Sequence, residues 1–268
     1  MTVDAAPIGI FDSGLGGLTV ASEIMRQLPS ESLIYFGDTA RVPYGPKGPA
    51  TVRRYSREIG AFLEAEGVKA VVIACNTATA HALTTLRAEL RVPIIGVIEP
   101  GARAAVAATR TGNIGVIGTA GTIRSGAYER AIRELAPDAR IVAQPCPLFV
   151  PLVEEGWVAK DATRLVAAEY LQPLREAGVD TLVLGCTHYP LLKPVLAEIL
   201  GSGVRLIDSA AETAAETRRM LADRDIEAPP GREPVRRFVA SDDSSQFLRL
   251  GQRFLGRALD AVELHTFG

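Results

Sequence analysis

Two cysteines stand where the chain could use them as acid and base. Cys75 follows the apolar run Ala70-Val-Val-Ile-Ala and precedes Asn76-Thr77; Cys186 follows Thr181-Leu-Val-Leu-Gly and precedes Thr187-His188-Tyr189. Short runs that are apolar on both faces suit central strands of a parallel sheet covered by helices. In such a sheet, ligands bind outside the carboxyl ends of the strands. A thiol at a strand tip, ahead of a helix whose positive end favours the thiolate, is suited to proton transfer at carbon. Two such thiols on opposite faces of one carbon, each able to serve as acid or base, would invert a centre α to a carboxylate. His188 is spaced to orient or exchange a proton with Cys186. Asp12 could do the same for Cys75 or hold a substrate ammonium group. Asn76, Thr77 and Thr187 add hydroxyl, amide and backbone donors for carboxylates.

The other strand tips supply the rest of the candidate site. The first leads into Asp12-Ser13-Gly14-Leu15-Gly16-Gly17, and the second into Gly37-Asp38-Thr39 and then Pro43-Tyr44-Gly45. Later tips give Gly118-Thr119, and Cys146-Pro147 with Glu154-Glu155. The glycine-rich turn lacks the G-x-G-x-x-G spacing, and no G-x-x-x-x-G-K-[ST] occurs, so a nucleotide is poorly supported. Its glycines are expected to permit a tight turn that leaves Asp12 and Ser13 exposed, with amides suited to a small carboxylate. Pyridoxal phosphate would need a Schiff-base lysine. Lys47, Lys69, Lys160 and Lys193 are the four lysines, and none follows a strand in a phosphate-binding context. No metal ligand set and no cofactor are expected. For Tyr44 the backbone is favoured over the ring as the binding group. Glu154 reads equally as a further polar contributor or as a solvent-facing loop acid, and Cys146 as a packed thiol.

The elements that must position these residues alternate along the whole chain. β-branched runs at 8–11, 33–36, 70–74, 94–98, 113–117, 141–143, 181–184, 205–207 and 237–240 predict strands. Segments of helical period near 17–28, 50–66, 78–90, 101–109, 123–135, 161–176, 191–200, 210–223 and 243–255 predict helices. The pattern is that of an α/β fold. It also repeats. Ile8-Gly-Ile-Phe followed by Ser13-Gly-Leu-Gly matches Ile114-Gly-Val-Ile followed by Thr119-Ala-Gly-Thr, and the segment around Cys75 matches that around Cys186. Gly96-Val-Ile-Glu-Pro likewise matches Arg205-Leu-Ile-Asp-Ser. The repeat predicts two similar domains, each an open, mainly parallel sheet flanked by helices, related by a pseudo-twofold axis with the site in the cleft between them. Residues 1–99 with 209–268 would form the first, discontinuous domain and residues 100–208 the second.

Composition narrows the function classes. In 268 residues, 47% are hydrophobic and 22% charged, a core-forming composition and not a disordered one. The 29 Lys and Arg against 31 Asp and Glu leave no electrostatic footprint for nucleic acid or an anionic membrane. The apolar runs are far shorter than a membrane span. No basic segment precedes an apolar stretch at the start of the sequence, so a cytoplasmic protein with free thiols is expected.

Phe11-Asp-Ser-Gly-Leu-Gly-Gly-Leu-Thr-Val20, Tyr35-Phe-Gly-Asp-Thr39 with Arg41-Val-Pro-Tyr-Gly45, Ala74-Cys-Asn-Thr-Ala78 and Leu184-Gly-Cys-Thr-His-Tyr-Pro-Leu-Leu192 occur in that order. Together they resemble the glutamate racemase family over nearly the whole chain. The resemblance implies cofactor-independent interconversion of L- and D-glutamate, supplying D-glutamate for peptidoglycan, with the site between two α/β domains. It implies that Cys75 and Cys186 are the catalytic thiols, Cys75 on the side that handles D-glutamate, assisted by Asp12 and His188. Substrate-binding positions carried over are Asp12, Ser13, Pro43, Tyr44, Gly45, Cys75, Asn76, Thr77, Thr119, Cys186, Thr187 and His188. The expected partner is the small-molecule substrate, with no membrane or nucleic acid, and a homodimer is expected. Racemisation of aspartate or another acidic amino acid, and a carboxylate-binding or gyrase-inhibiting protein, stay open as alternatives.

Overall fold

The apolar runs become strands, and each returns through a helical crossover to the same end of its sheet, as parallel pairing requires. A computed structural model describes residues 5–242, 244–259 and 261–267. The chain divides into two compact units, one of Met1–Val97 with Ala210–Gly268 and the other of Ile98–Ser209.

The first unit carries a parallel sheet of β1 (Ile8–Asp12), β2 (Leu33–Gly37), β3 (Ala70–Ile73), β4 (Ile94–Gly96), β9 (Arg236–Ala240) and β10 (Glu263–Leu264), in the order β10-β9-β2-β1-β3-β4. Its helices are α1 (Leu18–Gln27), α2 (Pro49–Ala65), α3 (Asn76–Glu89), α10 (Ser209–Asp223) and α11 (Ser244–Leu255). Val52, Ile59 and Leu63 of α2 and Ala78, Ala82 and Leu86 of α3 recur at helical spacing. They join Phe11, Val71 and Ile73 in one buried cluster. Register fixes the site. Phe11 of β1 pairs with Phe36 of β2 and with Ile73 of β3, so Asp12-Ser13, Gly37-Asp38 and Cys75 emerge at the same edge of the sheet.

The second unit carries β5 (Asn113–Gly118), β6 (Arg140–Pro145), β7 (Thr181–Gly185) and β8 (Arg205–Asp208), all parallel, in the order β6-β5-β7-β8. That order reproduces β2-β1-β3-β4 of the first unit, with β5 in the place of β1 and β7 in that of β3. Cys75 and Cys186 therefore follow equivalent strands, as the sequence repeat requires. The helices are α4 (Ile98–Ala108), α5 (Ala120–Arg124), α6 (Ala127–Leu135), α7 (Phe149–Glu154), α8 (Asp161–Glu176) and α9 (Lys193–Leu200).

Three local readings change. The helix expected over 123–135 is two helices, because Gly126 takes the left-handed conformation (φ 64°) and ends the first. The stretch expected as strand to Ile98 stops at Gly96, and α4 begins at Ile98. Cys186 does not lead directly into an α-helix; a 3-10 turn at Tyr189–Leu192 comes first. Pro194 has no N–H to offer the Pro190 carbonyl, which accepts the tighter bond from Lys193 N–H instead.

Candidate active site

In the first unit, Cys75 is the N-terminal cap of α3. Its sulfur accepts the Ala78 N–H at 3.4 Å, while its carbonyl accepts the Thr79 N–H at 2.8 Å. A sulfur in place of the usual cap hydroxyl points the positive end of a fourteen-residue helix at the thiol. Asn76 and Thr77, the first residues of that helix, are buried beside it. Asp12 and Ser13 are also buried, which corrects the expected exposure. The Asp12 carboxylate accepts the Gly14 N–H at 3.0 Å, and the Tyr35 hydroxyl donates to the Gly14 carbonyl at 2.9 Å. None of the glycines of this turn has positive φ, so close approach and not conformational freedom is what demands them. A Cβ on Gly17 would lie 2.5 Å from Asp12 Cβ and 2.9 Å from Ala74 Cβ. Burial pushes the Tyr35 phenol well up, reinforced by the charges of Asp12 and Cys75.

The segment after β2 is held from below. Tyr44 is buried, and its hydroxyl donates to Asp38, so the ring is an anchor. Burial raises the Tyr44 phenol, and the neighbouring Asp38 carboxylate adds to that. Pro43 is exposed and follows a cis peptide bond.

In the second unit, Cys186, His188 and Glu154 form a chain. Cys186 Sγ lies 3.9 Å from His188 Nδ1, and His188 Nε2 lies 2.9 Å from Glu154 Oε1. Burial alone would lower the imidazole. The bonds to the Cys186 sulfur and the Glu154 carboxylate outweigh it and raise the value to about 10. Protonated at neutral pH, His188 puts a positive charge beside the sulfur, a setting that supports reactive thiolates. Glu154 is thus not a loop acid facing solvent; it ends α7 and pairs with His188. Thr119 caps α5, its hydroxyl accepting the Thr122 N–H at 3.3 Å. Thr187 is buried between Cys186 and His188. Cys146 is fully buried, and burial pushes its thiol far up, the mark of a packed residue.

Sequence reasoning placed Asp38 at a strand tip without its role and missed Arg41, both of which support Tyr44, and Tyr128, a buried phenol that feels the charge of Cys186. Asp38 and Arg41 lie inside the quoted motifs, but nothing in their spacing marks them as partners of Tyr44. A cavity of about 800 Å³ lies at the other, amino end of the first sheet, beside Pro7, Leu33, Val68 and Lys69, and includes none of these groups. Among the described residues, no group of three or more His, Cys, Asp or Glu is arranged to hold a metal ion. No helix there is long and apolar enough to cross a membrane.

Comparison with known proteins decides the family. The sequence profile of the Asp/Glu/Hydantoin racemases matches residues 13–217. The chain belongs to that family. This racemase is 55% identical over 255 residues to a glutamate racemase of Geobacter metallireducens, covering 95% of this chain and 94% of that one. Among solved structures, a glutamate racemase of Bacillus anthracis superposes with a TM-score of 0.93 at 42% identity, covering 99% and 98% of the two chains. The glutamate racemase of Francisella tularensis, solved in complex with D-glutamate, gives 0.92 at 37% identity and covers 98% of each chain.

Proposed function

We infer that this racemase interconverts L- and D-glutamate and supplies D-glutamate for peptidoglycan, with Cys75 and Cys186 as its two bases. The observation that carries the reading is the equivalence of the two sulfurs: each follows the same strand of a repeated sheet, and each has its own device for bearing charge. From L-glutamate, the Cys186 thiolate takes the Cα proton, and the C–H electron pair passes into the carboxylate as a planar carbanion. The Cys75 thiol then gives its proton to the opposite face, yielding D-glutamate. The reverse reaction exchanges the two roles. His188, held by Glu154, donates toward the Cys186 sulfur, and Asp12 assists Cys75; between turnovers Cys186 gives up the proton it gained and Cys75 regains one by exchange with solvent.

Ser13, the Pro43–Gly45 backbone, Asn76, Thr77, Thr119 and Thr187 hold the substrate, with Asp12 receiving its ammonium. The enzyme acts in the cytoplasm as a homodimer, and its mass in solution by light scattering tests the second point. The test of the chemistry is circular dichroism of L-glutamate with the protein and no added cofactor, run beside L-aspartate. Glutamate ellipticity should decay to zero. Cys75→Ser and Cys186→Ser should each abolish the decay while still binding glutamate; normal turnover by Cys75→Ser would overturn the mechanism, and faster decay with aspartate would reassign the substrate.

A further inference from the structure

Asp38 and Arg41 lie beneath the 43–45 segment, and no step of the reaction uses them. The buried Asp38 carboxylate accepts the Tyr44 hydroxyl, Ser241 Oγ at 2.8 Å, and Arg41 Nε at 2.8 Å and 3.0 Å to its two oxygens. Arg41 Nη1 donates to Glu58. Among the described residues its Nη2 is buried with no hydrogen-bond acceptor, and two rings lie against the guanidinium. Arg41 Cζ lies over the Tyr55 ring at 4.2 Å and over the Phe267 ring at 4.6 Å. Tyr55 packs on Tyr44 with ring centroids 5.7 Å apart, and Phe267 on Phe36 of β2 at 5.4 Å. The backbone bonds of the segment itself are local, such as Arg41 N–H to the Asp38 carbonyl and Lys47 N–H to the Tyr44 carbonyl. Ties that reach beyond it run through these side chains, next to the bonds of Thr39 and Ala40 to Asp242 and Ser241.

We propose that Arg41 is a positioning residue and that Phe267 is its clamp, together fixing the Pro43–Gly45 backbone before glutamate binds. The proposal rests on the reading that this backbone holds the substrate. A segment ordered in advance does not have to be ordered by the ligand, so the clamp lowers KM. It leaves the proton transfers alone, because binding lost equally from ground and transition states raises KM without changing kcat.

The experiment measures kcat and KM in both directions for Phe267→Leu, which keeps an apolar contact with Phe36 and removes the ring face, and for Phe267→Tyr, which keeps the ring. Phe267→Leu should raise KM for both enantiomers about two- to fivefold, the range of a partly exposed cation–π contact. Its kcat should stay within about a factor of two, and Phe267→Tyr should restore KM. An unchanged KM, or a fall in kcat alone, overturns the proposal. Should Phe267→Leu not fold, Tyr55→Leu removes the other ring and carries the same expectation. Gly45→Ala separates the two levels of the reading. If it leaves KM unchanged, the substrate role of the segment has failed and the clamp falls with it. If it raises KM and Phe267→Leu does not, the clamp alone has failed.

Discussion

His188 meets Cys186 on one ring nitrogen and Glu154 on the other, so its charge depends on both. Removing one partner is therefore informative. Glu154→Gln takes away a carboxylate that raises the imidazole, and the alkaline limb of kcat/KM should move to lower pH, with kcat down by about tenfold. The charge also contributes to stability. The folded value, about 10, lies above that of an exposed imidazole, so the stabilisation is complete below the unfolded value near 6.5 and is lost as pH rises through 10. Thermal melts of His188→Asn should lack this alkaline decline. At this scale Cys75, Cys186 and His188 were legible because strand, thiol and polar residue recur as a unit. Glu154 was legible only as a candidate: a six-residue helix shows no period, and its partner lies 34 residues away. Asp12 was singled out by its place after a strand, but its burial follows from Gly17 packing against it, which spacing cannot express.

At the scale of elements, the approach of β1 to the turn that leads into α1 is set by Gly17. Gly17→Ala would drive a methyl into the Asp12 and Ala74 side chains and the Tyr35 hydroxyl. It should cost about 1–3 kcal/mol in urea unfolding and most of the kcat, since Asp12 and the strand that precedes Cys75 would move together. A second joint lies before β7. Asp180 accepts from the Thr109 and Thr111 hydroxyls and from the Arg110 and Thr111 amides, each within 3.0 Å. These bonds outweigh the cost of burial and hold the carboxyl well below the usual range. The stability it gives is complete above the unfolded carboxylate value, near 4, and is lost as pH falls from there through the depressed folded value. Asp180→Asn should therefore lower urea stability by about 1–3 kcal/mol at pH 7, a penalty that shrinks progressively as pH falls below 4. All nine strands expected from apolar runs exist. The two-residue β10 was not foreseen, because a strand that short has no pattern to read.

For the molecule as a whole, the first unit must be completed by residues that follow the second, and one buried ion pair marks the return. Lys69 and Glu31 meet at 2.6 Å with both side chains almost wholly buried. Lys69 Nζ also donates to the Ile226 carbonyl, and Glu31 accepts the Ala228 N–H at 2.7 Å, tying the connection after α10 to the sheet. Lys69→Met strands a carboxylate in the interior and should cost about 3–5 kcal/mol in urea unfolding, whereas Lys69→Met with Glu31→Leu should recover much of it. The paired sheets were visible in the sequence as a repeat, whereas this staple was not, because its four residues share no motif. The unlike settings of the two sulfurs, a helix amide for one and an imidazolium for the other, carry a last consequence. Mirror-image solutes have equal free energy in water, so the equilibrium constant is unity and kcat/KM must be the same for both enantiomers. The asymmetry of the protein can therefore surface only as a difference in kcat matched, ratio for ratio, by one in KM.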